Sequence, residues 1–173
     1  MTPQTPQGAS APGDLELTIG PAAHGGHFVA RHEGRVVFVR HALPGERVRA
    51  RLTDAGEKAK FWRADVKEVL EPAPARVPHF WAPADALKAG SRGRLPVGGA
   101  EFGHIGLAEQ RRLKAGIFAE QLRRLAGIER EATVEAAAEE NPDGLGWRTR
   151  ASFSVAPGGH LAMHPHRSED LVP

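Results

Sequence analysis

Hydrophobic and polar positions alternate through the first part of the chain. Between Arg47 and Leu52 every second residue is apolar, so one side of an extended backbone would face a core while three arginines face water. Similar runs predict five strands, at residues 15–19, 26–32, 35–40, 47–53 and 62–70. Glu33-Gly34 and Pro44-Gly45 are typical of the tight turns that join such strands. Strands this closely spaced predict a small β-barrel over residues 14–71.

A different pattern governs residues 79–173. Residues 72–78 carry too many prolines for a central strand or helix, and they predict a semi-rigid linker. Residues 107–125 place apolar side chains at helical spacing, and Gly127 is suited to end that helix in the left-handed conformation. Two more strands are predicted at residues 147–156 and 160–166. The fold class is therefore mainly β with α, a five-stranded barrel followed by a truncated α+β unit whose hairpin leaves a sheet edge without partners.

Composition excludes several classes of protein. Residues 1–13 carry no charge and are rich in Pro, Gln, Gly and Ala, which predicts a disordered leader. No apolar run is long enough to cross a bilayer and the first residues lack the blocks of a signal peptide, so we expect a cytoplasmic protein without membrane contacts. The 173 residues include no cysteine, which excludes disulfides, thiolate nucleophiles and cysteine-held metal centres on this chain.

Basic residues are concentrated in the predicted barrel. The formal net charge is only +2, but the sequence pI is about 9.4. Between residues 25 and 63, nine bases stand against four acids. This excess fits either ordinary solvated arginines or a surface that binds a polyanion such as RNA.

Several motifs resemble those of a known family. Residues 19–30 (IGPAAHGGHFVA) and 36–48 (VVFVRHALPGERV) resemble a TRAM domain, a small OB-like barrel of RNA-modifying enzymes. Later motifs are similar to the central domain of the 23S ribosomal RNA (uracil-5-)-methyltransferases, in their actinobacterial-type branch. These later motifs are GHI at residues 103–105, QRRLK at 110–114, LGWRTR at 145–150 and HRS at 166–168.

The resemblance implies a parent enzyme that transfers a methyl group from S-adenosylmethionine to C5 of a uridine in RNA. In that family a cysteine adds to the uracil ring, a carboxylate removes the C5 proton, and a Rossmann-like domain holds the cofactor. We expect these groups to lie in a catalytic domain of the same polypeptide, beyond residue 173. This chain is then expected to be a monomeric RNA-binding region without catalytic or cofactor-binding residues of its own.

The expected RNA-binding residues combine cations with aromatic rings, as OB-like folds do when they hold single strands. Phe28, Phe61 and Trp62 are the stacking candidates, whereas Phe38 is expected in the core. Arg148 and Arg150 lie on a predicted strand that either faces RNA or simply alternates, and the arginines of the helix are expected to be solvated. The remaining candidates are the basic residues of the barrel: Arg31, Arg35, Arg40, Arg47, Arg49, Arg51, Lys58, Lys60 and Arg63.

Metal centres are not expected. Many relatives in the family carry an iron–sulfur cluster near the position of residues 98–101, but this chain has no cysteine there to hold one. We expect that region to pack around Phe102, Ile105 and the following helix instead. His160, His164 and His166 lack an acidic or thiol partner to complete a metal site.

One alternative has a different class of function. A natural chain of this length could be a non-enzymatic TRAM-type adaptor or RNA chaperone. Such a protein should cover its sheet edge and bury the apolar stripe of the helix, and neither pattern is visible in the sequence.

Overall fold

The computed structural model describes residues 13–173, so nearly all of the predicted leader lies outside the described residues. All five predicted strands are present, and a two-residue strand is added to them. The strands are β1 (Leu15–Thr18), β2 (Ala22–Ala23), β3 (His27–His32), β4 (Arg35–Arg40), β5 (Arg47–Asp54) and β6 (Phe61–Glu71). They form one curled sheet in the order β1-β5-β6-β4-β3-β2. The mainly β fold class with little helix is thereby confirmed.

The barrel closes around a core built from alternate residues of these strands. In β5 the apolar positions Val48, Ala50 and Leu52 are buried and the arginines between them are not. Register shifts in the β5–β6 pair strengthen the local bend, as bulges do. Just after β1, Gly20 donates its N–H to the Val29 carbonyl at 2.7 Å. This hydrogen bond connects the end of β1 to β3.

Both predicted turns take the expected conformations. Glu33 and Gly34 have positive φ values of 48° and 80°, which matches a two-residue hairpin turn. Gly45 follows Pro44 with φ 85°, and Glu46 N–H reaches the Leu43 carbonyl at 3.2 Å. The positive φ at Gly45 is the reason that a glycine is needed there.

The second part of the chain contains two helices. A short 3₁₀ turn at Ala82–Ala84 leads into α1 (Ala86–Ser91), whose first amides donate to the Asp85 carboxylate. The long predicted helix is α2 (Leu107–Gln121). It ends earlier than predicted, because its last residues form a π-helical turn at Leu122–Ala126. Gly127 closes that turn with φ 65°, as the sequence predicted.

The predicted C-terminal hairpin is much shorter than its sequence pattern suggested. Only Ser154–Val155 (β7) and Leu161–Ala162 (β8) pair. Residues 147–153 are exposed and form no strand, so the prediction of a long strand there was wrong. A segment with alternating apolar and polar residues forms a strand only where its backbone can hydrogen-bond to a neighbouring strand. Among residues 13–173, no backbone pairs with residues 147–153 in this way.

The linker is fixed to the barrel by a buried ion pair. Glu46 is 0% exposed and accepts hydrogen bonds from Arg76 Nε at 2.6 Å and Nη2 at 2.8 Å. The same carboxylate accepts the backbone N–H groups of Leu43 and Ala73. Ile105 and Leu113 also join the barrel's apolar core. The region around Phe102 and Ile105 therefore packs as predicted, against the barrel.

No helix among residues 13–173 is long and apolar enough to span a membrane.

Candidate nucleic-acid interface

Two of the predicted RNA-binding residues are buried. Phe28 is 0% exposed, and its ring packs in the core with its centroid 6.0 Å from that of Phe102. Arg40 is also buried and forms two 2.9 Å hydrogen bonds to the Asp65 carboxylate. Neither side chain can reach RNA in this structure, so both assignments were wrong. Phe28 falls on the inward side of β3, and the paired charge of Arg40 compensates for its burial.

The Arg40–Asp65 pair also sets the charge of the acid. Burial raises the pKa of Asp65, but the hydrogen bonds and positive charge of Arg40 outweigh it and hold that pKa below its usual value. Asp65 is therefore ionised and neutralises Arg40. This pair adds no net charge to the surface.

The arginines of β5 do not form the free cationic surface that the alternation predicted. Arg47 pairs with Glu71 at 2.8 Å and with Glu16 at 3.3 Å. Arg49 pairs with Glu16 at 3.1 Å and with Glu68. These acids stand on β1 and β6, the two strands that flank β5. Together with the neighbouring Lys67–Asp14 pair, three bases face four acids on this part of the barrel, which we call the paired edge.

Cations without an ion partner gather at one end of the barrel, around the β3–β4 turn and the loop at residues 55–60. Arg31, Lys58 and Lys60 are exposed and form no ion pair with any residue in the range 13–173. Arg35 donates only to the Glu57 carbonyl, at 3.3 Å. We call this group, with its aromatic residues, the aromatic end: Arg31, Arg35, Lys58, Lys60, Phe61, Trp62 and Arg63. Five bases here stand against three nearby acids, Glu33, Asp54 and Glu57, and one of the five, Arg63, is paired with Asp54 at 2.7 Å.

Two aromatic rings at this end lie against guanidinium groups. The Arg35 guanidinium lies 4.5 Å from the centroid of Trp62, whose indole N–H donates to the Gly56 carbonyl at 3.2 Å. Phe61 is 36% exposed, and the Arg63 guanidinium lies 4.8 Å from its centroid. Such planar stacks are the elements from which sites for unpaired bases are built.

Phe38 belongs to this surface and not to the core. Val37 and Val39 are fully buried, so the residue between them points outwards. Its ring meets that of Phe61 edge to face, with centroids 5.2 Å apart. The expectation of a core position was wrong, although the strand alternation in the sequence already contained the signal that corrects it.

Arg148 and Arg150 lie elsewhere. Both are exposed in the segment that forms no strand, and the Arg148 guanidinium lies 5.0 Å from the centroid of Trp147. The strand predicted for them, whether it faced RNA or merely alternated, is therefore absent, and RNA binding by these two arginines stays a prediction. Arg51 has no ion partner among the described residues and stays a candidate beside the aromatic end.

The glycines at residues 98 and 99 do not form a cofactor site of the Rossmann type. They lie in a loop and not between a strand and a helix, and Gly99 N–H donates to the Glu101 carboxylate at 3.0 Å. The ring nitrogens of His164 lie 2.9 Å from Ser154 Oγ and 2.9 Å from the Asp170 carbonyl oxygen.

Comparisons with known proteins agree with this fold. Residues 14–67 match the TRAM domain family. Over 92% of its length the chain is 41% identical to a protein of Streptomyces coelicolor named as an RNA methyltransferase. It is 35% identical over 94% of its length to a 23S rRNA uracil-C5 methyltransferase of Halomonas elongata, and 33% identical over 69% to one of Alkalilimnicola ehrlichii.

The chain spans only part of these proteins, covering 35%, 32% and 24% of their respective lengths. The similarity extends well beyond the barrel, since most of the chain is aligned in each case. Residues 14–67 therefore belong to the TRAM domain family, and the chain as a whole is similar to about a third of the length of proteins named RNA methyltransferases.

Proposed function

We propose that this chain is the RNA-binding region of a cytoplasmic, S-adenosylmethionine-dependent RNA uracil-C5 methyltransferase, and that it is catalytically incomplete alone. RNA is its partner, and the aromatic end of the barrel is the contact surface. The remainder of the same polypeptide would supply the methyl-donor site and the cysteine that the reaction needs.

One observation carries the proposal of RNA binding: cations without ion partners lie beside the exposed ring of Phe61 and the half-buried rings of Phe38 and Trp62, at one end of a TRAM barrel. Arg31, Val36 and Phe61 lie side by side on the neighbouring strands β3, β4 and β6. The Arg31 cation and the Phe61 ring therefore stand at the same level on the outer face of the sheet. Lys58 and Lys60 extend this charge along the adjoining loop. Cations that hold the phosphates and rings that stack on bases are the two requirements for single-stranded RNA.

The methyltransferase part of the proposal draws on the relatives. Two of them are named as uracil-C5 methyltransferases of 23S ribosomal RNA. The absence of cysteine from this chain supports a division of labour in which the covalent step takes place on another part of the polypeptide.

Removal of two cations from the aromatic end tests the RNA surface. In Lys58→Ala/Lys60→Ala, we expect the slope of log affinity against log salt to become shallower by about 1.4, since each lost single-strand phosphate contact changes it by about 0.7. Fluorescence anisotropy with a labelled single-stranded RNA, repeated over a salt series, measures this slope.

Arg123→Ala/Arg124→Ala is the matched control, because it removes the same charge from the exposed π-helical turn after α2. We expect its slope to change by less than about 0.5, since that turn lies outside the aromatic end. A larger loss from this control than from Lys58→Ala/Lys60→Ala would contradict the placement of RNA at the aromatic end. No RNA binding by the unmodified chain at low salt would contradict the proposed function itself.

Catalytic incompleteness has its own test. Incubated with ribosomal RNA and S-adenosylmethionine that carries a labelled methyl group, this chain is expected to transfer no label, because it has no thiol for the covalent step. A full-length relative serves as the positive control. Label incorporated into RNA by the chain alone would disprove this part of the proposal.

A further inference from the structure

A cleft separates the β5–β6 part of the barrel from helix α1. It consists of two adjoining depressions that share Lys67 and Gly90 in their walls. The outer depression has a volume of about 260 Å³, and the inner depression has a volume of about 20 Å³. The inner part has room for about one water molecule, so a larger group would lie in the outer part, against the mouth of the inner one.

The cleft carries net positive charge. Its basic side chains are Arg49, Arg51, Lys67 and Arg94. Its acids are already paired: Asp65 with Arg40, Asp14 with Lys67, and Glu68 with Arg49. Arg51 and Arg94 have no carboxylate partner within residues 13–173, so their guanidinium groups are available to an anion.

The cleft adjoins the aromatic end. Asp54 pairs with Arg63 across β5 and β6, and Arg51 lies opposite Asp65 on the same two strands. Arg63 and Asp65 are two residues apart on β6, so both point to the same face of the sheet and lie about 7 Å from each other. Arg63 at the aromatic end and Arg51 in the cleft are thus neighbours on one continuous face.

We propose that this cleft binds a phosphodiester group of the RNA strand whose bases stack at the aromatic end. The inference rests on the proposed RNA-binding function and extends it. Arg51 and Arg94 would contact the phosphate oxygens through their planar N–H groups, whereas Lys67 is already paired with Asp14. Contacts of this kind fix the position of the strand without reading its sequence.

The test compares Arg51→Ala/Arg94→Ala, the cleft variant, with Arg123→Ala/Arg124→Ala. Both double variants lose two positive charges, but Arg123 and Arg124 lie exposed in the π-helical turn after α2. For a single-stranded RNA of about ten nucleotides, we expect the cleft variant to lose roughly tenfold in affinity at low salt and the control to lose less than about twofold. This strand is called the long RNA, and inorganic phosphate serves as the probe for an anion without bases.

The outcomes separate this inference from the proposed function. If the cleft variant matches the control on the long RNA while Lys58→Ala/Lys60→Ala weakens binding, the cleft proposal is overturned and the RNA-binding function stands. If the unmodified chain binds no RNA, both fail. If inorganic phosphate raises the melting temperature of the unmodified chain but not of the cleft variant, and long-RNA binding is equal in both, the site holds free phosphate and the proposal is wrong.

Discussion

Replacing Glu46 by alanine is expected to lower the free energy of unfolding by about 3–5 kcal/mol, the cost of removing one partner from a buried ion pair. The Glu46 carboxylate is 0% exposed and accepts hydrogen bonds from Arg76 and from the backbone amides of Leu43 and Ala73. Its loss leaves the Arg76 guanidinium and two amides without that acceptor. Urea denaturation, followed by tryptophan fluorescence, measures the change.

Glu71→Ala is the matched control for that measurement. Glu71 also pairs with an arginine, Arg47, but its side chain is 66% exposed, so we expect a loss below about 1 kcal/mol. Glu46→Gln should fall between the two, because the amide oxygen can still accept from Leu43. Equal stability of Glu46→Ala and Glu71→Ala would show that the buried pair does not hold the linker to the barrel.

Acidification is expected to destabilise the protein well above the pH at which carboxylates become protonated. Burial lowers the pKa of His41 to about 4, with Asp65 opposing the shift and Arg40 adding to it. Burial likewise lowers the pKa of His104 to about 3, against the opposing effect of its hydrogen bond to the Ala42 carbonyl. Both ring nitrogens of His41 and Nδ1 of His104 are buried and have no hydrogen-bond partner among residues 13–173.

The sign of the effect follows from where the proton binds. In the unfolded chain these histidines take up a proton as the pH falls through about 6.5, whereas in the folded chain they stay neutral. Stability is therefore highest above pH 6.5 and falls towards pH 4 for His41 and pH 3 for His104. For His41, this shift in pKa corresponds to a loss of about 3 kcal/mol in the free energy of unfolding as the pH falls from above 6.5 to 4.

His41→Asn isolates this contribution. Asparagine does not titrate, and it tolerates the left-handed backbone that His41 adopts at φ 62°. We expect the difference in unfolding free energy between pH 7 and pH 4, measured in urea, to shrink by about 3 kcal/mol. His160→Asn, at an exposed histidine, should leave that difference unchanged. The same acid sensitivity in His41→Asn and the unmodified chain would rule out His41 as its cause.

Local sequence patterns were sufficient for the elements of the barrel. Five strands, the turns at Glu33-Gly34 and Pro44-Gly45, and the left-handed glycine that follows α2 all depend on residues close together in the chain. Their backbone preferences and their alternation act over a few positions, so the sequence displays them directly. The motifs of residues 19–48 likewise identified the TRAM domain, whose family match covers residues 14–67.

The candidate site depended more on contacts between distant residues. The charge of Arg47 and Arg49 is visible in the sequence, but their carboxylate partners lie 19 to 33 positions away on other strands. Only the strand order β1-β5-β6 brings them together. The same is true of Arg40, whose partner Asp65 follows it by 25 positions.

The sequence by itself thus determined the barrel, its turns, its family and the surplus of bases within it. The tertiary structure decided which of those bases remain free to bind an anion. Residues that carry opposite charge attract each other according to their distance in space, and that distance is set by strand order and register. For this reason the arginines of β5 are largely neutralised, and the available cations lie at the aromatic end and in the cleft beside α1.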